Sequence, residues 1–167
     1  METISVTKSR FKHSGLYNLS SYYNVLYDTL RVLGYDVEEV KYRNKIGPDG
    51  QTVEIELFWD AKRKIDDYSK MFIYAKTLIV GMSKQQTQID GKPVTKDKGI
   101  AELELKARVE VDYQNKWEAN PIMQQLRWWF EKYFYHDKLN FIQSKVAADM
   151  NKLENEIKAF FNMQTFL

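Results

Sequence analysis

The segment from Ala101 to Tyr113, AELELKARVEVDY, alternates apolar and charged residues over thirteen positions. Successive side chains of a β-strand point to opposite faces of the sheet, so this alternation predicts a strand with one buried face and one solvated face. A sheet that is half exposed in this way is typically antiparallel. Its apolar face must be covered by another layer, which helices elsewhere in the chain can supply.

Other strands are predicted from shorter patterns. Residues 3–11 are rich in β-branched residues, and residues 53–59 alternate after the turn Gly47-Pro48-Asp49-Gly50, which predicts a hairpin. Residues 68–82 are apolar at nearly every position, a pattern that fits a helix or a central strand covered on both faces, and the β-branched residues Ile73, Thr77, Ile79 and Val80 favour the strand. Asp90-Gly91 predicts a second hairpin with a two-residue turn.

Two helical regions flank these strands. Leucine and tyrosine recur at steps of three and four from Leu16 to Leu33, with Ser14 as the predicted N-cap and Gly34 as the predicted end. Asn120-Pro121 has the pattern of a cap followed by proline in the first turn, and no glycine or proline follows it. The C-terminal part is therefore predicted to be one long helix, or two helices that meet near residues 135–137.

The order of these elements predicts an α+β domain spanning residues 1–167. We expect a curved antiparallel sheet of about six or seven strands packed on an N-terminal helix and a long C-terminal helix. This order resembles the helix-grip fold of the START and Bet v 1 type ligand-binding superfamily, in which a curved antiparallel sheet wraps a long final helix. The glycine-rich loop of the plant members of that superfamily is absent from this chain.

Three stretches carry a second resemblance. They are WDAKRKIDDYSKMFI, GIAELELKARVEVDYQNKWEANPIMQQLRWWFEKY and NKLENEIKAFFN, which are similar to a group of small uncharacterised archaeal proteins with the same order of elements. This likeness implies the fold and a cytosolic setting and adds no chemistry. The chain has no cysteine and no apolar run long enough for a signal peptide or a membrane span, so we expect a soluble cytoplasmic protein.

Composition and motifs argue against several chemistries. The chain has twenty-five Lys and Arg and twenty-three Asp and Glu, so its net charge is +2. With so small a charge, only a local basic patch could bind a polyanion. His13 and His136 are too far apart in sequence for a two-histidine metal motif, and no serine-hydrolase elbow, dinucleotide fingerprint or P-loop occurs. We therefore predict no catalytic residue, no metal and no cofactor.

The carboxylates of the predicted strands are a further candidate for acid–base chemistry. They share the polar face with Lys106 and Arg108, which favours a solvated lattice of cross-strand ion pairs over a catalytic pair. The carboxylates concerned are Glu54, Glu56, Glu102, Glu104, Glu110 and Asp112.

Residues 117–139 hold three of the four tryptophans. Helical spacing places Trp129 and Tyr133 on one apolar stripe with Ile122 and Leu126, which predicts that this stripe faces the core. Trp128 and Tyr135 fall on the other side of the helix. We predict that these two rings contact a protein partner rather than a membrane, because the polar face of the helix carries few cations.

These features lead to three functional hypotheses, of which the third, an enzyme of the superfamily's cyclase or hydrolase type, has no candidate catalytic residue in the sequence. The first is a non-enzymatic binding module whose cleft, between sheet and C-terminal helices, holds an apolar ligand or a partner's side chains. The predicted lining residues are Trp59, Tyr74, Trp117, Trp129, Tyr133 and Phe134, and the alternative is that these rings simply fill the interior.

The second hypothesis is a nucleic-acid or ribonucleoprotein accessory protein. Its predicted phosphate contacts are Lys62, Arg63 and Lys64, with neighbouring rings stacked on bases.

Overall fold

An antiparallel sheet with helices on one face makes up the molecule, as described for residues 1–89, 91–117 and 121–166 by a computed structural model. The strands are β1 (Glu2–Tyr17), β2 (Asp36–Ile46), β3 (Thr52–Lys64), β4 (Ser69–Ile89) and β5 (Lys92–Val111). The helices are α1 (Leu19–Val32), α2 (Pro121–Phe130) and α3 (His136–Phe166), and a π-helical turn (Glu131–Tyr135) joins α2 to α3. The strand order is β1-β5-β4-β3-β2, so the first strand pairs with the last.

The predicted α+β class and antiparallel sheet are confirmed, but the predicted strand number is wrong. The described residues form five strands rather than six or seven. The reason is that β4 and β5 are 21 and 20 residues long and remain paired through a register shift between Val80 and Ser83. Gly81 has a φ of +65° at this shift. A bulge of this kind interrupts the side-chain alternation without ending the ladder, so one strand resembles two in the sequence.

The alternation of β5 is confirmed as a buried and a solvated face. The odd-numbered side chains from Ala101 to Val111 are buried, and α3 packs against this side of the sheet. The buried apolar side chains of α3 are Ile142, Val146, Met150, Leu153, Ile157, Phe160 and Phe161. The prediction that β4 is covered on both faces is wrong, because Ile73 and Ala75 are buried whereas Tyr74 and Lys76 are half-buried. No described helix covers this second face of the sheet.

Helix α1 ends as predicted but does not begin as predicted. Ser14 lies within β1, and the N-cap is Asn18, whose Oδ1 accepts a hydrogen bond from the Ser21 N–H at 2.9 Å. At the other end, Gly34 has a φ of +85°, and its N–H donates to the Arg31 carbonyl at 2.9 Å. Strand β1 extends further than the predicted residues 3–11 because its pairing with β5 continues to Tyr17.

We expect Asn18→Ala to lower the free energy of unfolding by about 1 kcal/mol, because the Ser21 N–H loses its acceptor. Urea unfolding of this variant beside Asn18→Ser measures the effect. Serine keeps an acceptor at the cap, so Asn18→Ser should remain close to the wild type. Equal losses in the two variants would contradict the assignment of Asn18 as the cap.

The C-terminal region consists of two helices that meet near the predicted residues 135–137. The joint is the π-helical turn, in which side chains five residues apart, rather than four, share a side of the helix. Phe130 therefore stacks on Tyr135, with ring centroids 5.4 Å apart, and Phe134 is 81% exposed. The predicted cap Asn120 and the turn residue Asp90 lie outside the described residues.

Candidate binding surfaces

The apolar stripe of α2 faces solvent, contrary to the prediction that it faces the core. No described residue of α2 is buried. Seven large apolar side chains of α2, the π-helical turn and the start of α3 are between 50% and 81% exposed, and we call them the exposed aromatic face. They are Ile122, Leu126, Trp128, Trp129, Tyr133, Phe134 and Phe141. Trp129 contacts both Tyr133 and Trp128, with ring centroids 5.1 and 5.8 Å apart.

An arginine on the opposite side of α2 accounts for this orientation. The Arg127 Nη2 donates to Glu2 Oε2 of β1 at 2.8 Å, and Nε donates to Glu131 Oε1 at 2.8 Å. Nη1 also lies 3.9 Å from Oδ2 of Asp112, a buried carboxylate just after β5. The Arg127 side chain is only 13% exposed. Because this side chain bonds to the sheet edge, the aromatic side of α2 is turned toward solvent.

Asp66 connects the sheet to the π-helical turn. Its Oδ1 accepts hydrogen bonds from the Ser69 N–H at 2.7 Å and the Tyr68 N–H at 2.9 Å. Its Oδ2 accepts from the Tyr135 hydroxyl at 2.8 Å and from Lys138 Nζ at 2.5 Å. Burial alone raises the pKa of Asp66, but the hydrogen bonds from Lys138, Tyr135 and the backbone outweigh it and hold this pKa well below its ordinary value.

Tyr135 was predicted to contact a partner, and the structure places it in the interior instead. Its side chain is 5% exposed, and its ring packs against Tyr68 at 4.9 Å. The π-helical turn is the cause, since the added residue rotates Tyr135 toward the sheet. Trp128, the other residue of that prediction, is 54% exposed, with Lys132 Nζ 4.5 Å from its ring centroid.

The six predicted lining residues lie in four different places. Trp59 is buried on the helix side of the sheet, against Tyr23, whereas Tyr74 lies on the opposite side. The sheet therefore separates these two rings. Trp117 stacks on Phe130 at the junction, with centroids 5.4 Å apart, beside a cavity of about 430 Å³. The other three, Trp129, Tyr133 and Phe134, belong to the exposed aromatic face.

The three predicted phosphate contacts are also divided by the sheet. Lys62 and Lys64 point away from the helices and pair with Glu38 and Asp67, respectively. Arg63 points toward the helices, where its Nη1 donates to the Leu33 carbonyl at 2.8 Å. Alternation along β3 explains this separation, because neighbouring residues of a strand occupy opposite faces.

The two histidines are likewise in separate environments. His13 stacks on Phe161 at 4.4 Å, and burial lowers the pKa of this imidazole. His136 is exposed, with Nε2 3.0 Å from Asn140 Nδ2. The described side chains include no group of three or more histidines and carboxylates arranged to hold a metal ion.

A cavity of about 650 Å³ lies between the start of α1 and the strands. Its lining mixes apolar residues, such as Ile55 and Met82, with polar ones, such as Asn44 and Lys84. It contains none of the six residues predicted to line a cleft.

A further surface is the side of the sheet that points away from the helices. The predicted ion pairs of Glu54, Glu56, Glu102, Glu104 and Glu110 lie on it, whereas its cluster of rings and cations was not predicted. Its charged and aromatic residues are distant in sequence and meet only through the strand register. Glu104 of β5, for example, lies within 3.3 Å of three cations, those of Lys8, Arg10 and Lys106. Their hydrogen bonds, Lys106 first, lower the pKa of Glu104 to about 2.

Among the described helices, none has both the length and the apolar composition required to cross a bilayer. No protein-family model and no curated protein matches this chain, and its function is therefore inferred from the geometry of the surfaces described above.

Proposed function

We propose that this protein is a binding module, that the exposed aromatic face is its protein–protein interface, and that the same face of a second copy occupies it. The observation that carries the proposal is the exposure of seven large apolar side chains on adjoining helical segments. Trp and Tyr are enriched at the centres of protein interfaces, where their rings supply most of the binding energy.

The area of this face supports an interface. Aromatic side chains bury about 150–250 Å² each, so at the exposed fractions above these seven side chains present roughly 800 Å². The largest apolar patch on a typical monomer covers about 300–600 Å². One partner contributes about 800 Å² to an interface of standard size. A second copy therefore suffices to cover the whole face.

The charges at the border of the face support a second copy as the occupant. Lys132 and Asp137 are both exposed and lie within one turn of Tyr133. A two-fold interface uses the same patch on both subunits, so a patch that carries both signs of charge is complementary to itself. Each lysine can then pair with an aspartate of the second copy.

A small apolar ligand or a membrane surface is less well supported as the occupant. Ligand sites are concave, whereas these rings project from the outer side of a helix. Interfacial membrane helices carry mainly Lys and Arg on their polar face, whereas Glu131 and Asp137 alternate here with Lys132 and Lys138. An apolar ligand between sheet and helices stays a prediction, as does the cytoplasmic location.

Sedimentation velocity of the purified protein over a series of concentrations tests the interface. We expect the wild type to form a dimer, and we expect Trp129→Ala to raise the dimer dissociation constant about thirtyfold, as the loss of a central aromatic residue does. The matched control is Tyr42→Ala, which removes a 50% exposed ring from β2, outside the face. Circular dichroism checks that each variant is folded.

Two outcomes would contradict the interface. One is a wild-type protein that stays monomeric at every concentration. The other is a dimer that Trp129→Ala and Tyr42→Ala weaken equally, because such a dimer uses another surface.

We also propose that the fold belongs to the helix-grip type. Support comes from the long α3, which packs against one face of the antiparallel sheet, and from the pairing of the first strand with the last. Superposition on helix-grip structures tests this assignment, and a mismatch in the placement of α3 on the sheet would refute it.

A further inference from the structure

The side of the sheet that points away from the helices, which we call the outer sheet face, has an excess of positive charge. On the stretch of β5 from Ile100 to Val111 and on the strand segments in register with it, twelve Lys or Arg and eight Asp or Glu side chains point outward, so this part of the face carries a net charge of +4. The whole chain carries +2, which leaves −2 for all other residues. The bases are Lys8, Arg10, Lys12, Lys41, Arg43, Lys45, Lys62, Lys64, Lys70, Lys76, Lys106 and Arg108, and the acids are Asp36, Glu38, Glu54, Glu56, Asp60, Glu102, Glu104 and Glu110.

Three aromatic rings lie at the centre of the outer sheet face. Phe58 of β3 and Tyr74 of β4 have ring centroids 6.2 Å apart and are half-buried, and the third ring, Phe72 of β4, is only 8% exposed. Each ring has a cation near it. Lys76 Nζ lies 5.1 Å from the Phe58 centroid and Lys106 Nζ lies 5.8 Å from that of Tyr74. Arg108 stands 4.8 Å from Phe72. Rings interleaved with cations are the arrangement by which proteins bind single-stranded nucleic acid, with bases on the rings and phosphates on the cations.

A surface depression of about 410 Å³ adjoins Tyr74. It lies next to the register shift between Ser5 and Thr7, and its polar lining consists of Thr3, Ser5, Tyr74, Lys106 and Arg108. Three hydroxyls and two cations around one depression provide the donors that a phosphate group requires.

The guanidinium of Arg108 has unused hydrogen-bonding capacity. Its Nε is buried and has no hydrogen-bond partner among the described residues. Its Nη2 is 3.7 Å from Asp60 Oδ2 and 3.7 Å from Glu110 Oε1, distances that are too long for hydrogen bonds. The Arg108 side chain is 38% exposed, so the exposed part of its guanidinium is open to an anionic ligand.

We propose that the outer sheet face binds single-stranded nucleic acid, with one phosphate between Lys106 and Arg108 and one base stacked on Tyr74. A single strand is favoured over a duplex because only unpaired bases can leave their stack and lie on a ring. The exposed aromatic face belongs to the helices, so the outer sheet face stays accessible in the dimer proposed above.

Fluorescence anisotropy with labelled single-stranded RNA and DNA of mixed sequence, at two salt concentrations, tests the proposal. We expect binding at the lower salt concentration that weakens steeply at the higher one, because phosphate contacts release counterions. We expect Tyr74→Leu to weaken binding about tenfold, and Tyr74→Phe, which keeps the ring, to bind as the wild type does.

A matched pair of double variants separates a defined site from general attraction to charge. Lys106→Gln with Arg108→Gln removes two positive charges from the depression and should weaken binding about tenfold or more. Lys145→Gln with Lys152→Gln removes two positive charges from α3 and should change the affinity by less than about twofold. Circular dichroism and the unfolding midpoint show whether each variant keeps its fold.

Several results would overturn the proposal. They are no binding at the lower salt concentration, equal weakening by the two double variants, no effect of Tyr74→Leu, and tighter binding of a duplex than of its single strand. Trp129→Ala changes no residue of the outer sheet face and should bind the oligonucleotides normally. The dimer proposal and this one therefore fail or succeed separately.

Discussion

Phe161→Ala should lower the free energy of unfolding by about 4 kcal/mol, the cost typical of deleting a fully buried phenylalanine ring. The Phe161 side chain is 1% exposed and lies where α3 meets β1 and α1. Its ring stacks on His13 at 4.4 Å and lies 5.4 Å from Tyr22 and 5.6 Å from Tyr17. Alanine would remove the Phe161 ring from all three of these contacts and leave a cavity between α3, β1 and α1.

The measurement is thermal and urea unfolding at one fixed protein concentration, because a dimer makes the midpoint depend on concentration. A loss of about 4 kcal/mol corresponds to a fall in Tm of roughly 8–16 °C for a chain of this size. Met163→Ala is the control, since this side chain is on the same helix and 59% exposed. It should change the stability by no more than about 0.5 kcal/mol. Comparable losses in both variants would contradict the placement of Phe161 in the core.

Asp66→Ala should lower the free energy of unfolding by about 3 kcal/mol. The carboxylate accepts hydrogen bonds from two backbone N–H groups, from the Tyr135 hydroxyl and from Lys138. Alanine leaves the two backbone N–H groups without this acceptor, and the buried Tyr135 hydroxyl keeps only Ser69 Oγ, 2.9 Å away. Asp67→Ala is the control, because Asp67 is 80% exposed and its ion pair with Lys64 lies at the surface. Similar losses in the two variants would show that Asp66 is not the connection between sheet and helix.

The stability that Asp66 supplies should depend on pH. Its hydrogen bonds hold its pKa in the folded state below the unfolded value of about 3.9. A depressed carboxylate pKa stabilises the folded state fully above the unfolded value, and the contribution is lost as the pH falls toward the folded value. The difference in stability between wild type and Asp66→Asn should therefore be constant near neutral pH and shrink below about pH 4. A difference that grows on acidification would contradict the depressed pKa.

Patterns among neighbouring residues of the sequence predicted much of the fold correctly. The alternation from residue 101 onward is a property of neighbouring residues, and it correctly predicted the buried face of β5. The end of α1 at Gly34 and the hairpin around residues 47–50 were predicted for the same reason, since turn and cap geometries depend on a few adjacent residues. The strand number was wrong because the bulge near Gly81 resembles a strand end in the sequence.

The candidate surfaces were much less predictable. Helical spacing correctly grouped Trp129 with Tyr133, but the side of α2 that faces the sheet depends on Arg127 and Glu2, which are 125 residues apart. The π-helical turn then placed Phe134 at the surface and Tyr135 in the interior, the reverse of the predicted positions. The outer sheet face depends on the register of five strands, which joins Lys106 to Tyr74 and Arg108 to Phe72.

The sequence by itself determined the fold class, the type of sheet and the apolar stripes, because side-chain periodicity follows from backbone geometry within one element. Only the tertiary structure decided which stripe is covered and which rings meet cations. These outcomes depend on contacts between residues distant in sequence, which the periodicity of a single element does not encode. The Arg127 ion pairs with Glu2 and Asp112 lie on the side of α2 that faces the sheet, and the exposed aromatic face lies on the opposite side.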